Sequence, residues 1–484
     1  MPIVLTHLIR GRLARFRSWG FALLCLLPSL ALAEDRRGRL GDVLLDGVPH
    51  VQQEPDFCGE ACAEMWLRKL GHPISQRAVF DLTGIDPGLG RGAWTAELAR
   101  ALTRLGFSVG DVWFRVAVNH ANAGLEAQFA ALHADLVRGV PTIVCMHYDG
   151  SPDSSEHFRL IVGYRAATDS VVYQEPAESS GGYRTMSRAR FLKLWPLKYG
   201  TKEWTVVRLV LDGTRVVDPP KPPEHDDAAF AQHVLALREK LPAGFSLVIE
   251  KPFVVIGDES AATVQRRAET TIRWTTEQLR GNYFEKEPRR IIDVWLFKNA
   301  KSYVSQVKRL TGVEPYTPYG FYSDSHGLLM NISTGAGTLV HEMVHPFVDA
   351  NVAHPPPWFN EGLASLYEQS AEREGRIVGL TNWRLAGLRN VIEKHSLPSF
   401  RQLTAMGNDK FYKDDQGDNY AQARYLFYYL QEKGLIRPFV AAFKARGTDD
   451  PSGYATLQKI LAETDMQDFQ ERWVRWVLTL RFDG

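Results

Sequence analysis

Two histidines with a glutamate between them, His341-Glu342-Met343-Val344-His345, carry the clearest chemistry in the chain. On a helix, residues four apart share a face about one turn apart. Two imidazoles so placed can hold one zinc ion, and Glu342, off that line, can reach the attacking water. A third ligand is available in Trp358-Phe359-Asn360-Glu361-Gly362-Leu363-Ala364, which opens a second helical pattern after His354-Pro355-Pro356-Pro357. With Glu361 added, three protein ligands leave a fourth position for water. The chemistry implied is metal-assisted hydrolysis, with Zn2+ as cofactor and Glu342 as general base. Pro346 removes the amide that would bond the Glu342 carbonyl, so the helix is expected to kink or end there. Asp349 has two readings, a carboxylate orienting a histidine or a solvated helix charge.

A second constellation surrounds Cys58, at an expected helix start, where the thiolate is favoured. Gln52, six residues earlier, is placed to donate to an oxyanion. His157 opens a strand, and Glu175 ends the next. Adjacent antiparallel strands can bring that carboxylate beside the ring, as a base and its orienting acid require. Cys58 can instead form a disulfide with Cys62 or Cys145, or those two can pair and leave it free.

The first constellation resembles the gluzincin metallopeptidases of the MA-like group, over roughly residues 245–430. Their third ligand is a glutamate in an N-E-G-L-A type setting. The metzincin pattern fails, because Val348 and Asn351 stand where it needs Gly and His. The resemblance implies a transition-state donor on a later helix. Tyr420, in Asn419-Tyr420-Ala421-Gln422-Ala423, is the candidate, with a tyrosine packed between helices as the other reading. The second constellation resembles the papain-like cysteine peptidases of the bacteriocin-processing type, over most of residues 45–200. The matching features are the Gln52–Cys58 spacing, the C-G-x-A-C helix start, His157-Phe158 leading into Val162-Gly163-Tyr164, and Glu175-Pro176. By resemblance Gln52 is the oxyanion donor, Cys58 the nucleophile, His157 the base and Glu175 the third member. Phe57 departs from the Asp usual before the cysteine, and Glu175 from the usual Asp.

The elements that must position these groups follow from periodicity. Helices are expected after Cys58, ending at Gly71, and over 94–105. Strands are expected at 142–146, 158–164, 170–174 and 205–211. Beyond Asp218-Pro219-Pro220-Lys221-Pro222-Pro223, too proline-rich for a core, come a helix over 228–240, a strand at 253–256 and a helix around 261–279. A strand at 291–297 and a hairpin over 320–332 follow, the hairpin turning near His326-Gly327. Everything after Gly337 reads as helical. The fold class is α+β with two domains, a papain-like one at 34–217 and a gluzincin-like one at 228–484 with a small twisted sheet and a helical lobe. Residues 218–227 are the linker between them. The hairpin edge can pair with an extended substrate.

Residues 1–33 read as a secretory signal peptide: Arg10, Arg12, Arg15 and Arg17, an apolar run from Trp19 to Leu32, and a small-residue exit near Ala33. The protein is therefore expected to be periplasmic or secreted, with no stable membrane anchor. Losing those arginines turns the formal charge from +1 to −3, which argues against a nucleic-acid partner. Of four cysteines, three remain, an odd number for an exported chain. The leading expectation is an exported zinc endopeptidase acting on peptides or proteins. The alternatives are a thiol peptidase or acyl-transfer enzyme using Cys58 and His157, and a peptide-binding adaptor.

Overall fold

The computed structural model describes residues 40–482 except 214, 220–225, 316, 333–335, 414–416 and 447. The signal-peptide segment, and most of the proline-rich stretch, lie outside the described residues. Among the described residues no helix is long and apolar enough to cross a membrane.

The N-terminal half is built on one antiparallel sheet. Its strands are β1 (Val43–Leu44), β2 (Trp113–Ala117), β3 (Thr142–His147), β4 (Glu156–Arg165), β5 (Ser170–Gln174), β6 (Arg184–Ser187) and β7 (Glu203–Val210). The order is β2-β7-β3-β4-β5-β6, with β1 paired to β4. Side chains alternate across such a sheet. One face (Cys145, Phe158, Leu160, Val172) packs on the thiol helix Cys58–Lys69 and the helix Thr95–Arg104. The opposite face (Val144, Met146, Ile161, Val171) packs on Ala121–Val137. Periodicity does not mark that last helix, because its many alanines spread apolar character around the axis. It also interrupts the expected order of helices first and sheet afterwards.

The C-terminal half has a five-stranded sheet of β8 (Ser246–Glu250), β9 (Phe253–Gly257), β10 (Ile292–Phe297), β11 (Gly320–Ser323) and β12 (Leu328–Ile332), in the order β11-β12-β10-β9-β8. The inner strands β9, β10 and β12 are parallel, and the edges β8 and β11 are antiparallel. Val255, Val294, Leu296 and Leu329 face the motif helix Ala336–Asn351 and the helical lobe. Val254, Ile256, Trp295 and Met330 face the other way.

The expectation of helices alone after Gly337 is corrected by a hairpin, β13 (Ser370–Arg373) with β14 (Arg376–Gly379). Its two turn residues, Glu374 and Gly375, have φ of 54° and 72°. Positive φ at both positions matches the right-handed twist of a two-residue hairpin. Pro346 does not end the motif helix, which continues to Asn351. Phe347, Val348 and Ala350 are buried beyond it, and that packing holds the last turn against the lost hydrogen bond.

One helix, Asp227–Arg238, joins the halves. Its Ala228 and Ala231 sit in the N-terminal core, while Phe230, Val234 and Leu237 pack on the second sheet. Ala228 donates its amide to Asp81 Oδ1 at 2.9 Å, and Gln232 Nε2 donates to Pro55 O at 2.8 Å, three residues before Cys58.

Candidate functional sites

The motif helix brings His341 and His345 together, with ring centroids 5.0 Å apart. The helix Pro357–Leu366 carries Glu361 against them. Proline at its first turn suits the helix start. Trp358 is fully buried and donates its indole N–H to Ser452 O at 2.8 Å, and Phe359 stacks on Phe443 at 3.9 Å. These aromatics fix the helix's rotation, so Glu361 faces the histidines. One ligand atom each from His341, His345 and Glu361 lies within 4.8 Å of the others, and all three residues are buried.

Both rings are oriented by groups outside this trio. His345 Nδ1 lies 3.0 Å from Asn360 Oδ1 and donates to it, leaving Nε2 3.8 Å from Glu342 Oε2. His341 Nδ1 lies 3.4 Å from Glu368 Oε1, and its Nε2 lies 3.3 Å from Glu361 Oε2. Glu368 is itself clamped by Arg384, at 2.7 and 2.8 Å, and by Asn382 Nδ2 at 3.0 Å. The Tyr412 hydroxyl donates to Glu361 Oε1 at 2.8 Å, and Glu361 Oε2 is buried beside His341 Nε2. Glu342 is held from the edge strand, where the Tyr322 amide donates to Oε2 at 2.9 Å.

The site is strongly electronegative. Burial disfavours charge on His341, but Glu361, Glu368 and Glu342 overcome it and raise its pKa to about 10. Burial likewise opposes ionisation of Glu361, yet His345, His341 and Tyr412 hold it below the usual carboxylate range. Glu368 falls to about 2, because Arg384 and His341 outweigh burial.

Zinc fits this donor set. Two imidazoles and one carboxylate are a common catalytic set, and tetrahedral bonds of about 2.0–2.2 Å put ligand atoms roughly 3.3 Å apart. The His341–Glu361 separation is already 3.3 Å, and one ligand atom from each of the three residues lies within 4.8 Å of the others.

The remaining candidates fall differently. Tyr420 stands against Phe411 and Tyr412, with Arg384 over its ring at 5.1 Å. Tyr412 touches a candidate ligand, Glu361. Asp349 is not the partner of either histidine ring; Asn360 and Glu368 take that place. Asn360 is legible in hindsight as the residue before Glu361. Glu368 and Tyr412 carried no sequence signal.

In the N-terminal half, Cys58 opens its helix as expected. His157 Nε2 hydrogen-bonds Glu175 Oε1, and Arg159 donates to Glu175 Oε2 at 2.5 Å. These contacts hold Glu175 low against the pull of burial. The pairing register sets Cys145 opposite Phe158 and Met146 opposite His157. Cys145 and Phe158 line a cleft of about 500 Å³ with Cys58, while the His157 ring meets Tyr148 edge-on. Among the described residues no hydrogen bond joins Cys58 to His157. Burial pushes the Cys58 thiol up to about 12, with Glu60 and Asp56 adding to it against a hydrogen bond from the Phe158 amide. Gln52 is exposed and is not among the residues lining the cleft. Cys58, Cys62 and Cys145 are all free thiols.

Residues 45–202 match the Peptidase_C39 like family. Residues 335–451 match a family described only as a protein of unknown function, DUF1570. No curated protein matches the chain. Among solved structures, xylellain, a cysteine protease from Xylella fastidiosa, is 13% identical over 39% of this chain and 91% of that one, with a TM-score of 0.25.

Proposed function

We propose that this chain, whose residues 45–202 match the Peptidase_C39 like family, is an exported peptidase whose hydrolytic centre is a gluzincin-like zinc site at His341, His345 and Glu361. The observation carrying this reading is the convergence of two imidazoles and a buried carboxylate, one ligand atom from each within 4.8 Å of the others. When bound, zinc supplies a Lewis acid that acidifies water and polarises the scissile carbonyl. The protein's own groups do the rest. Glu342, oriented by the Tyr322 amide, takes the proton of the attacking water and passes it to the leaving amine. Asn360 and Glu368 fix the two rings, and Tyr412 fixes Glu361. Tyr420 is the donor to the developing oxyanion. An extended peptide lies along the β11 edge.

The family match favours the second reading, a thiol peptidase at Cys58 with His157 and Glu175, and it says nothing of zinc. The metal reading is supported by the convergence of His341, His345 and Glu361, the thiol reading by that match and by the His157–Glu175 pair.

Peptide hydrolysis by the full mature chain separates the two. The metal reading expects loss of activity with a chelator and recovery with added zinc. It expects a fall of about 10²–10⁴-fold in Glu342→Gln and none in Cys58→Ala. Activity that ignores the chelator and disappears in Cys58→Ala gives the chemistry to the thiol.

A further inference from the structure

The cleft over Cys58 has walls that neither hydrolytic reading uses. Trp94, Trp113 and Tyr199 line it, with 68%, 50% and 67% of their surfaces exposed. Large aromatic side chains so open to water are uncommon on a surface with no partner. Two carboxylates, Asp56 and Glu156, share the cleft, and among the described residues no lysine, arginine or histidine lines it. Arg91 stacks on Trp94 at 3.9 Å and is neutralised by a two-pronged bond to Glu97, both arms 2.8 Å.

The walls are also held in place. Asp56 Oδ2 accepts from the Gly92 amide at 2.8 Å, and buried Glu60 accepts from the Ala93 amide at 2.7 Å. The Glu97 side chain takes the Trp94 amide at 2.8 Å. Gly92 is required there, since a Cβ would meet Asp56 O at 1.8 Å. Across the cleft, Tyr199 donates to Glu156 Oε1 at 2.5 Å.

We propose that this cleft binds a cationic peptide segment, one that presents a lysine, an arginine or a free α-amine between the aromatic walls. Aromatic faces attract cations through their quadrupole, and two carboxylates with no ion pair among the described residues add charge complementarity. A 500 Å³ cleft has room for a few residues, with the cationic side chain inside. The inference depends on neither a bound metal nor a working thiol.

The test uses the full mature chain carrying Glu342→Gln and Cys58→Ala, with chelator present, so that nothing is cleaved. Calorimetric titration compares a capped Ala-Lys-Ala-Lys-Ala peptide, its Glu counterpart and a neutral chito-oligosaccharide. The lysine peptide is expected to bind about tenfold or more tighter than the other two, and more weakly as salt rises. Adding Asp56→Asn with Glu156→Gln keeps the hydrogen-bond acceptors and removes the charge, and binding is expected to fall about tenfold. Trp94→Ala with Trp113→Ala is expected to weaken it similarly. Equal affinity for the acidic peptide, preference for the sugar, no binding of the lysine peptide, or binding unchanged in the amide pair overturns the proposal.

Discussion

Each candidate metal ligand depends on a neighbour that aims it. Asn360 shows this most simply: it accepts from His345 Nδ1 and so leaves Nε2 turned into the site. Groups in this position typically account for about 10–100-fold in metal affinity. Asn360→Ala is therefore expected to weaken zinc binding by roughly that factor, read by competition with a chromophoric chelator, with little change in melting temperature. Unchanged affinity would mean that the ring is held by packing alone. The trio itself was legible, because two histidines four apart and a later glutamate need only a helix and a turn to converge. Glu368 was not. It lies seven residues past Glu361, and only the fold of the β13–β14 hairpin and the Arg384 clamp bring it to His341. Tyr412 was missed for the same reason: tertiary packing, not spacing, takes it to Glu361.

At the scale of elements, the glycine after Glu361 sets how closely two helices meet. A Cβ on Gly362 would lie 2.7 Å from the Phe427 ring on the helix Asp418–Glu432. Gly362→Ala is expected to cost about 1–3 kcal/mol by overpacking, measured by denaturant unfolding, and to shift Glu361 with the helix so that zinc affinity falls too. A stable variant with normal zinc binding would show that the ring yields without moving the ligand. Across that interface Arg424 is fully buried and donates to the carbonyls of Ser365 and Leu366, at 2.9 and 3.3 Å, and to that of Leu380. It caps the end of the Glu361 helix with a charge that sequence periodicity reads only as a polar intrusion. Strands and amphipathic helices were legible because their periods differ. The β13–β14 hairpin was not, since four-residue strands carry too few residues to show a period of two.

Across the whole molecule, the two halves share the helix Asp227–Arg238 and are not independent beads. Its small residues Ala228 and Ala231 are seated in the core that holds Cys58, and its larger ones in the sheet that carries the metal lobe. Composition reads the proline-rich stretch as a boundary, but composition cannot show that the helix after it packs on both halves. Ala231→Glu buries a charge at that seam and is expected to cost roughly 3 kcal/mol or more. Calorimetry should then show the halves melting in two steps where the parent melts in one, whereas a single unchanged transition would mean that the seam carries little stability. The central claim concerns the other end of the molecule and is tested most directly by elemental analysis of the purified protein lacking residues 1–33 beside His341→Ala and Glu361→Ala. About one zinc per chain, lost in both variants, is the result expected of a three-ligand site. No bound zinc, even after zinc is supplied at neutral pH, or zinc retained in both variants, would contradict it and leave Cys58 as the remaining candidate for the chemistry.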